Sequence, residues 1–192
     1  MNKRLILLVA LLFINPVFES SSCHAAGLKG LFGKKSEAHK ARALHKKVEE
    51  AVTKFKKKDP SMSRFFKKSV GYAVFPSVVK AGIGFGGAMG KGEVYEGGKL
   101  VGKSTMAQAT VGFQFGGQAY SEIVFFNDED TFSDFQRGSF EFGAQVSAVA
   151  VTLGASDNAR FDEDMVVFTM EKGGLMYEAT VGGQMFTYEG KD

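Results

Sequence analysis

Two glycine-rich segments are the parts of the chain whose residue types and spacing most suggest nucleotide chemistry. Residues 97–104 read Gly-Gly-Lys-Leu-Val-Gly-Lys-Ser and match the phosphate-loop pattern. Such a loop needs a helix that begins at its Lys-Ser, because the helix N-terminus and the loop amides hold the phosphates. Ser104 leads instead into an alternating, glycine-punctuated segment. We expect a hairpin turn and a strand here, with nucleotide binding as a remote alternative.

The second segment, residues 82–87, reads Gly-Ile-Gly-Phe-Gly-Gly and fits the dinucleotide-binding pattern Gly-x-Gly-x-x-Gly. That pattern opens a helix in dinucleotide-binding folds, whereas residues 91–95 read Lys-Gly-Glu-Val-Tyr. The sequence therefore predicts a glycine-rich strand rather than a cofactor site.

Acid–base and metal-binding residues are sparse. His39 and His45 are six residues apart on a predicted helix, so they face different directions, and no histidine follows them. A serine triad would need one of them to reach out from that helix. The acidic runs 128–130 and 162–164 lack the spacing of a calcium loop and are typical of solvated loops or helix starts. We predict no catalytic residues, no metal site, no cofactor and no enzyme activity.

The N-terminus has the layout of a secretory signal. Lys3 and Arg4 precede an apolar run over residues 5–14, and small residues follow up to Ala26. The run is about half of the roughly 20 residues that span a bilayer. We predict a signal peptide over residues 1–26, a short basic and apolar segment over 27–36, and one domain over 37–192, located in the periplasm. Cys23 would leave with the signal; its lipidation is the less favoured alternative, since three serines precede it.

Charge is unevenly distributed along the chain. Residues 27–68 hold 14 Lys and Arg against 4 acidic residues, whereas residues 69–192 hold 8 against 16. A strongly basic segment on an acidic body indicates contact with an anionic surface, either nucleic acid or membrane. Because the chain is predicted to be exported, a membrane surface is the better partner and nucleic acid is not expected.

The positions of apolar residues predict helices first and strands afterwards. Three- and four-residue spacing predicts an amphipathic helix over 37–58 that ends before Asp59-Pro60, and a second short helix is predicted over 61–69. From residue 70 the spacing is two, as in residues 111–116 and 140–150.

Glycines predict the turns and the curvature of these strands. Gly97-Gly98 and Gly173-Gly174 are predicted hairpin turns. A short helix over residues 128–137 should turn Phe132 and Phe135 inward. Gly-x-Gln recurs at 112–114, 116–118, 143–145 and 182–184, and glycine within strands favours a strongly curved sheet. The predicted fold class is α+β, with N-terminal basic amphipathic helices packed on an antiparallel, glycine-rich curved β-sheet or barrel.

Several ordered blocks resemble the SYLF lipid-binding domain family over nearly all of residues 37–192. The first is Gly71-Tyr72-Ala73-Val74-Phe75-Pro76-Ser77-Val78-Val79-Lys80-Ala81-Gly82, and it is followed by similar blocks at 86–92, 111–122, 140–145 and 172–177. The resemblance implies phospholipid binding without catalysis. For an exported bacterial member it implies anionic phospholipids rather than actin or phosphoinositides.

The residues that we expect to contact lipid lie in the basic third of the chain. Lysines would meet headgroups around a pair of phenylalanines. The alternative is that the two phenylalanines belong to the core and that the lysines are merely solvated. A second functional hypothesis is an envelope protein-interaction or stress-related module that uses the β-sheet. The predicted lipid-binding residues are Lys54, Lys56, Lys57, Lys58, Arg64, Phe65, Phe66, Lys67 and Lys68.

Overall fold

The computed structural model describes residues 26–138, 140–142, 148–150 and 163–191. The predicted signal peptide, apart from Ala26, and Cys23 lie outside the described residues. The elements in chain order are α1 (Ala26–Lys58), a 3-10 turn (Pro60–Met62), α2 (Ser63–Lys68), β1 (Gly71–Glu96), β2 (Lys99–Phe126), α3 (Glu129–Gln136), β3 (Phe140–Phe142), β4 (Ala148–Ala150) and β5 (Met165–Gly190).

The chain divides into two compact units, residues 1–36 and residues 37–192. Helix α1 begins at Ala26, earlier than the predicted residue 37, and ends at Lys58 as predicted. The end is set by Asp59, whose side chain accepts a hydrogen bond from Ser61 N at 3.1 Å and caps the 3-10 turn that Pro60 begins. All the strands, α2, α3 and the part of α1 from Glu37 onward belong to the second unit.

Three long antiparallel strands form the body of the sheet, in the order β1-β2-β5-β3, and β4 pairs with β5. The predicted α+β class is confirmed, and the sheet is open rather than closed. One pairing differs from the antiparallel prediction: β4 runs parallel to β5, with Ala148 beside Val167.

Strand β1 curls until its two ends meet. Gly97 N donates a hydrogen bond to Val70 O at 3.5 Å, and the rings of Tyr72 and Tyr95 stack with centroids 5.0 Å apart. The sheet therefore has a crowded inner face, which is folded on itself, and an outer face.

Side chains alternate between two buried clusters. On the inner face, Phe75, Phe126 and Phe186 pack with Phe132 and Phe135 of α3, as predicted for that helix. On the outer face, residues of α1, the 3-10 turn and α2 cover the neighbouring strand residues. This outer cluster includes Val48, Ala51, Phe55, Met62, Phe65, Val74, Ile123, Phe125, Val166 and Phe168.

Of the two predicted glycine turns, one is confirmed and one is wrong. Gly97 and Gly98 turn between β1 and β2 with φ of 53° and 78°. Gly173-Gly174 does not turn but lies inside β5. Gly173 has φ 148° where Lys172 is left without a partner on β2, so the glycine permits a bulge rather than a reversal.

Candidate functional site

The predicted lipid-binding residues lie together at the end of α1 and in α2. Lys54, Lys56, Lys57, Lys58, Lys67 and Lys68 are exposed, and Arg64 is half-buried. The ammonium nitrogen of Lys56 lies 4.3 Å from the ring centroid of Phe66, so the two segments form one surface. In the described part of the chain, Lys56, Lys57 and Lys58 form no ion pair with a carboxylate. Their contact with lipid stays a prediction.

The structure places the two predicted phenylalanines differently from each other. Phe65 is fully buried, with ring centroids 5.4 Å from Phe125 and 5.1 Å from Phe168. Phe65 is a core residue, as the alternative interpretation held, and these contacts anchor α2 on the outer face of the sheet. Phe66 is half-buried and packs edge-on against Tyr72 and Phe125. Phe65 is therefore not accessible to a membrane surface in this fold.

A second surface, which no sequence pattern predicted, carries exposed apolar side chains. Ile83 and Phe85 are each 75% exposed. Ile83 pairs with Phe115 and Phe85 pairs with Val111 across β1 and β2, so these side chains share one face of the sheet. We call this surface the outer apolar patch, and it comprises Val79, Ile83, Phe85, Met89, Val111, Phe115 and Met185.

The sequence does hold a signal for this patch. In residues 82–90, large apolar residues at 83, 85 and 89 alternate with glycine or alanine. Such alternation is usually interpreted as large residues inside and small residues outside. Here the order is reversed: a Cβ on Gly90 would lie 2.8 Å from a methyl carbon of Val78, since β1 folds back on itself. At Gly90 the inner face has no room for a side chain, and the large residues at 83, 85 and 89 face outward.

Lysines border the outer apolar patch. Lys172 lies in the bulge of β5, beside Gly173. Gly173 pairs with Ala119 of β2, and Ala119 pairs with Val79 of β1, so Lys172 lies near the Val79 end of the patch. Burial lowers the pKa of Lys172, and repulsion from Lys54 and Lys47 lowers it further. Positive charge from Lys172, Lys54 and Lys47 is therefore gathered near Val79, at one end of the patch, and Glu50 offsets part of it.

A cavity of about 600 Å³ lies between α1 and the hairpin end of the sheet. On its wall, His45 Nδ1 lies 2.9 Å from Glu93 Oε2, and Tyr95 donates to the same oxygen at 2.7 Å. The hydrogen bond to Glu93 raises the pKa of His45, and burial raises the pKa of Tyr95. His45 Nε2 lies 3.6 Å from Glu49. Because both ring nitrogens face carboxylates, this network joins α1 to β1 and does not resemble a serine triad.

The two nucleotide-like segments have the strand structure that the sequence predicted. Gly97-Gly98 turns, β2 begins at Lys99, and Lys103 pairs with Glu93 inside the ladder. Gly82 to Gly87 lies within β1. Neither segment opens a helix.

Asp128, in the first acidic run, caps α3 by accepting a hydrogen bond from Thr131 N at 2.8 Å, and this hydrogen bond lowers the pKa of its carboxyl group.

The described residues hold neither a metal-type cluster nor a membrane-crossing helix. No group of three or more His, Cys, Asp or Glu side chains there is arranged to hold a metal ion. Within the same residues, no helix combines the length and apolar character that a membrane crossing requires.

Comparison with known proteins places the chain in relation to one family. The family model Ysc84, described as Las17-binding protein actin regulator, matches residues 107–191. Beta cell expansion factor A of Aeromonas veronii is 25% identical over 152 residues, which are 75% of this chain and 55% of that protein. The chain thus spans about half the length of this curated relative. These matches confirm the resemblance to the SYLF family, a family of lipid- or actin-binding domains not known as enzymes.

Proposed function

We propose that this protein is a non-catalytic phospholipid-binding protein of the bacterial envelope, exported to the periplasm, that docks on anionic membrane surfaces. The outer apolar patch enters the membrane interface, and the lysines around it meet the headgroups. The proposed membrane surface thereby adds the exposed apolar side chains of β1, β2 and β5 to the predicted lysines and Phe66.

The outer apolar patch carries the proposal. Isolated exposed apolar residues are ordinary, but seven large ones on one sheet face form a surface of the kind that binds membranes or proteins. Burying one such side chain contributes about 1.5–3 kcal/mol when its removal from water is complete. Insertion of only part of the patch would thus supply a large share of a micromolar affinity, which corresponds to about 8 kcal/mol.

The lysines supply the preference for anionic lipid. Lys47, Lys54 and Lys172 lie near the Val79 end of the patch. The positive surface continues along the ends of α1 and α2 with Lys56, Lys57, Lys58, Lys67 and Lys68. Near a strongly anionic leaflet each cation contributes on the order of 1 kcal/mol. These exposed charges are screened by salt, so the electrostatic part of binding weakens as ionic strength rises.

Binding of an envelope protein is the second candidate function, and the same observation favours it, because an apolar sheet face fits a protein as well as a membrane. The lysines distinguish the two candidates. A bilayer rewards many loosely placed cations around an apolar surface, whereas a protein partner requires matching carboxylates at fixed positions.

Vesicle sedimentation tests the proposal. The protein should sediment with vesicles rich in phosphatidylglycerol and much less with pure phosphatidylcholine. Replacing Lys56, Lys57, Lys58, Lys67 and Lys68 together by Gln should remove most of this binding without a change in melting temperature. A matched control replaces the exposed Lys91, Lys99 and Lys103, at the hairpin end, by Gln and should keep binding. Equal binding to both vesicle types would contradict the electrostatic component.

A further inference from the structure

A polar cavity on the inner face of the sheet has the features of a small-ligand site. Its volume is about 200 Å³, and it lies between the two halves of the folded sheet. Glu122 on its wall is fully buried, and Lys80 is 7% exposed. Charged side chains are rarely so buried unless they are paired or serve a ligand.

Strand register brings these polar residues together. Lys80 pairs with Gln118 across β1 and β2, and Gln108 pairs with Gln184 across β2 and β5. Curling of the sheet brings these two pairs near each other. Glu122, which lies four residues beyond Gln118 in β2, then contacts Gln184, 62 residues away. Two of the recurring Gly-x-Gln segments thereby place their glutamines on one cavity wall.

Two acceptor atoms in this cavity have no donor among the described residues. Gln184 Nε2 donates to Glu122 Oε2 at 3.2 Å, but Glu122 Oε1 and Gln184 Oε1 have no hydrogen-bond partner there. Buried acceptors are normally satisfied, and an unmet one is costly to the fold. Both atoms are oxygens that accept hydrogen bonds, so a group that satisfies them must carry hydrogen-bond donors.

We propose that this cavity binds a primary ammonium group, with Glu122 Oε1 and Gln184 Oε1 accepting two of its N–H hydrogens. An ammonium offers three donors and the charge that matches a buried carboxylate. The cavity admits a group of a few heavy atoms, of the size of ethanolamine. The same chemistry is present in soluble amines and in aminophospholipid headgroups. Because the cavity lies on the inner face, it can bind an ammonium group whether or not the outer apolar patch binds membranes.

The charge around the cavity fits a cationic guest whose affinity depends on pH. Lys80 faces it from β1, Glu171 from β5, and Tyr120 and Glu122 from β2. Lys80 has an interaction of its own, and with two carboxylates and one ammonium among these groups the formal charge of the lining is negative. Burial raises the pKa of Glu122 to about 7. Since only the carboxylate form attracts a cation, ammonium affinity should rise by about tenfold between pH 6 and pH 8.

Calorimetric titration of the whole chain with ethanolamine tests the proposal. Tetramethylammonium carries the same charge without N–H donors and serves as the ligand control. Ethanolamine should bind at pH 8, and its affinity should be about tenfold lower at pH 6. Tetramethylammonium should not bind at either pH. Glu122→Gln should abolish binding, whereas Glu96→Gln, an exposed acid at the hairpin end, should leave it unchanged. Equal responses to the two cations, or full binding in Glu122→Gln, would overturn the proposal.

A second measurement does not depend on any variant. Binding of ethanolamine to the wild-type chain at pH 6.5 should release a proton from Glu122. The release would be seen as a dependence of the observed heat on the buffer's ionisation enthalpy, and its absence would overturn the assignment.

Vesicles containing phosphatidylethanolamine distinguish the two sources of the ammonium group, a lipid headgroup and a soluble amine. Displacement of ethanolamine by them supports a lipid headgroup, and binding without displacement supports a soluble amine.

Discussion

Gly92 lies against Val74 of the same strand, so closely that a Cβ on Gly92 would collide with the Val74 carbonyl oxygen. The two residues are 18 positions apart in β1, and their approach is possible only because the strand curls on itself. This contact determines which face of the sheet is crowded, and therefore which side chains are left outside.

Gly92→Ala should destabilise the fold. The new methyl group meets backbone and the Phe75 ring, neither of which can move freely, so the free energy of unfolding should fall by about 1–3 kcal/mol. Gly117→Ala is the matched control, because its Cβ would lie 3.5 Å from Lys80 O, an ordinary contact. Urea denaturation measures both variants. Equal stability of the two would mean that β1 is less tightly curled than described.

The pH dependence of stability should carry the signature of Glu122. Burial raises its pKa from the ordinary 4.5 to about 7, so between these values the folded chain binds more protons than the unfolded chain. The stability from this group is full below pH 4.5 and declines as pH rises towards 7, by about 3 kcal/mol in total. Glu122→Gln should remove this decline. Denaturation of both proteins at pH 5 and pH 8 gives the difference; parallel slopes would show that Glu122 has an ordinary pKa.

His45 should make a smaller contribution of the same sign. Its pKa is raised by Glu93, so its contribution to stability is full below pH 6.5 and is lost as pH rises through the higher folded value. Because the side chain is 45% exposed, solvent limits the effect, and His45→Gln should cost about 1 kcal/mol or less at pH 6. His39→Gln, an exposed histidine on the same helix, should cost nothing measurable. A cost for His45→Gln that is unchanged at pH 9 would show that the ion pair with Glu93 is not its source.

Local sequence signals predicted the elements well but could not predict how the sheet curls. Periodicity and Asp59-Pro60 located the end of α1, and the inward Phe132 and Phe135 followed from helical spacing. Gly173-Gly174 has the composition of a turn, but the chain does not reverse there. The pairing of β5 with β2 continues on both sides, so the segment forms a bulge.

The residues of the two candidate surfaces depend on contacts distant in sequence. The outer apolar patch faces outward because Gly90 and Gly92 approach residues 74–78. Likewise, nothing near Glu122 in sequence indicates that Gln184 will meet it. The predicted basic surface was recognisable because a run of charged residues can be identified without tertiary contacts. Phe65 was assigned to it although it is buried, because burial of a single residue depends on those contacts.

Vesicle sedimentation of a Phe85→Ser, Phe115→Ser double variant tests directly whether the outer apolar patch enters a membrane. Both side chains are exposed, at 75% and 62%, so the fold should keep its stability within about 0.5 kcal/mol. Leu100→Ser, a half-buried leucine at the hairpin end, is the control. We expect the double variant to bind phosphatidylglycerol vesicles at least about tenfold more weakly than the parent, since each lost phenylalanine removes about 1.5–3 kcal/mol of apolar transfer. Parental affinity in the double variant, with the fold intact, would contradict membrane docking through the patch.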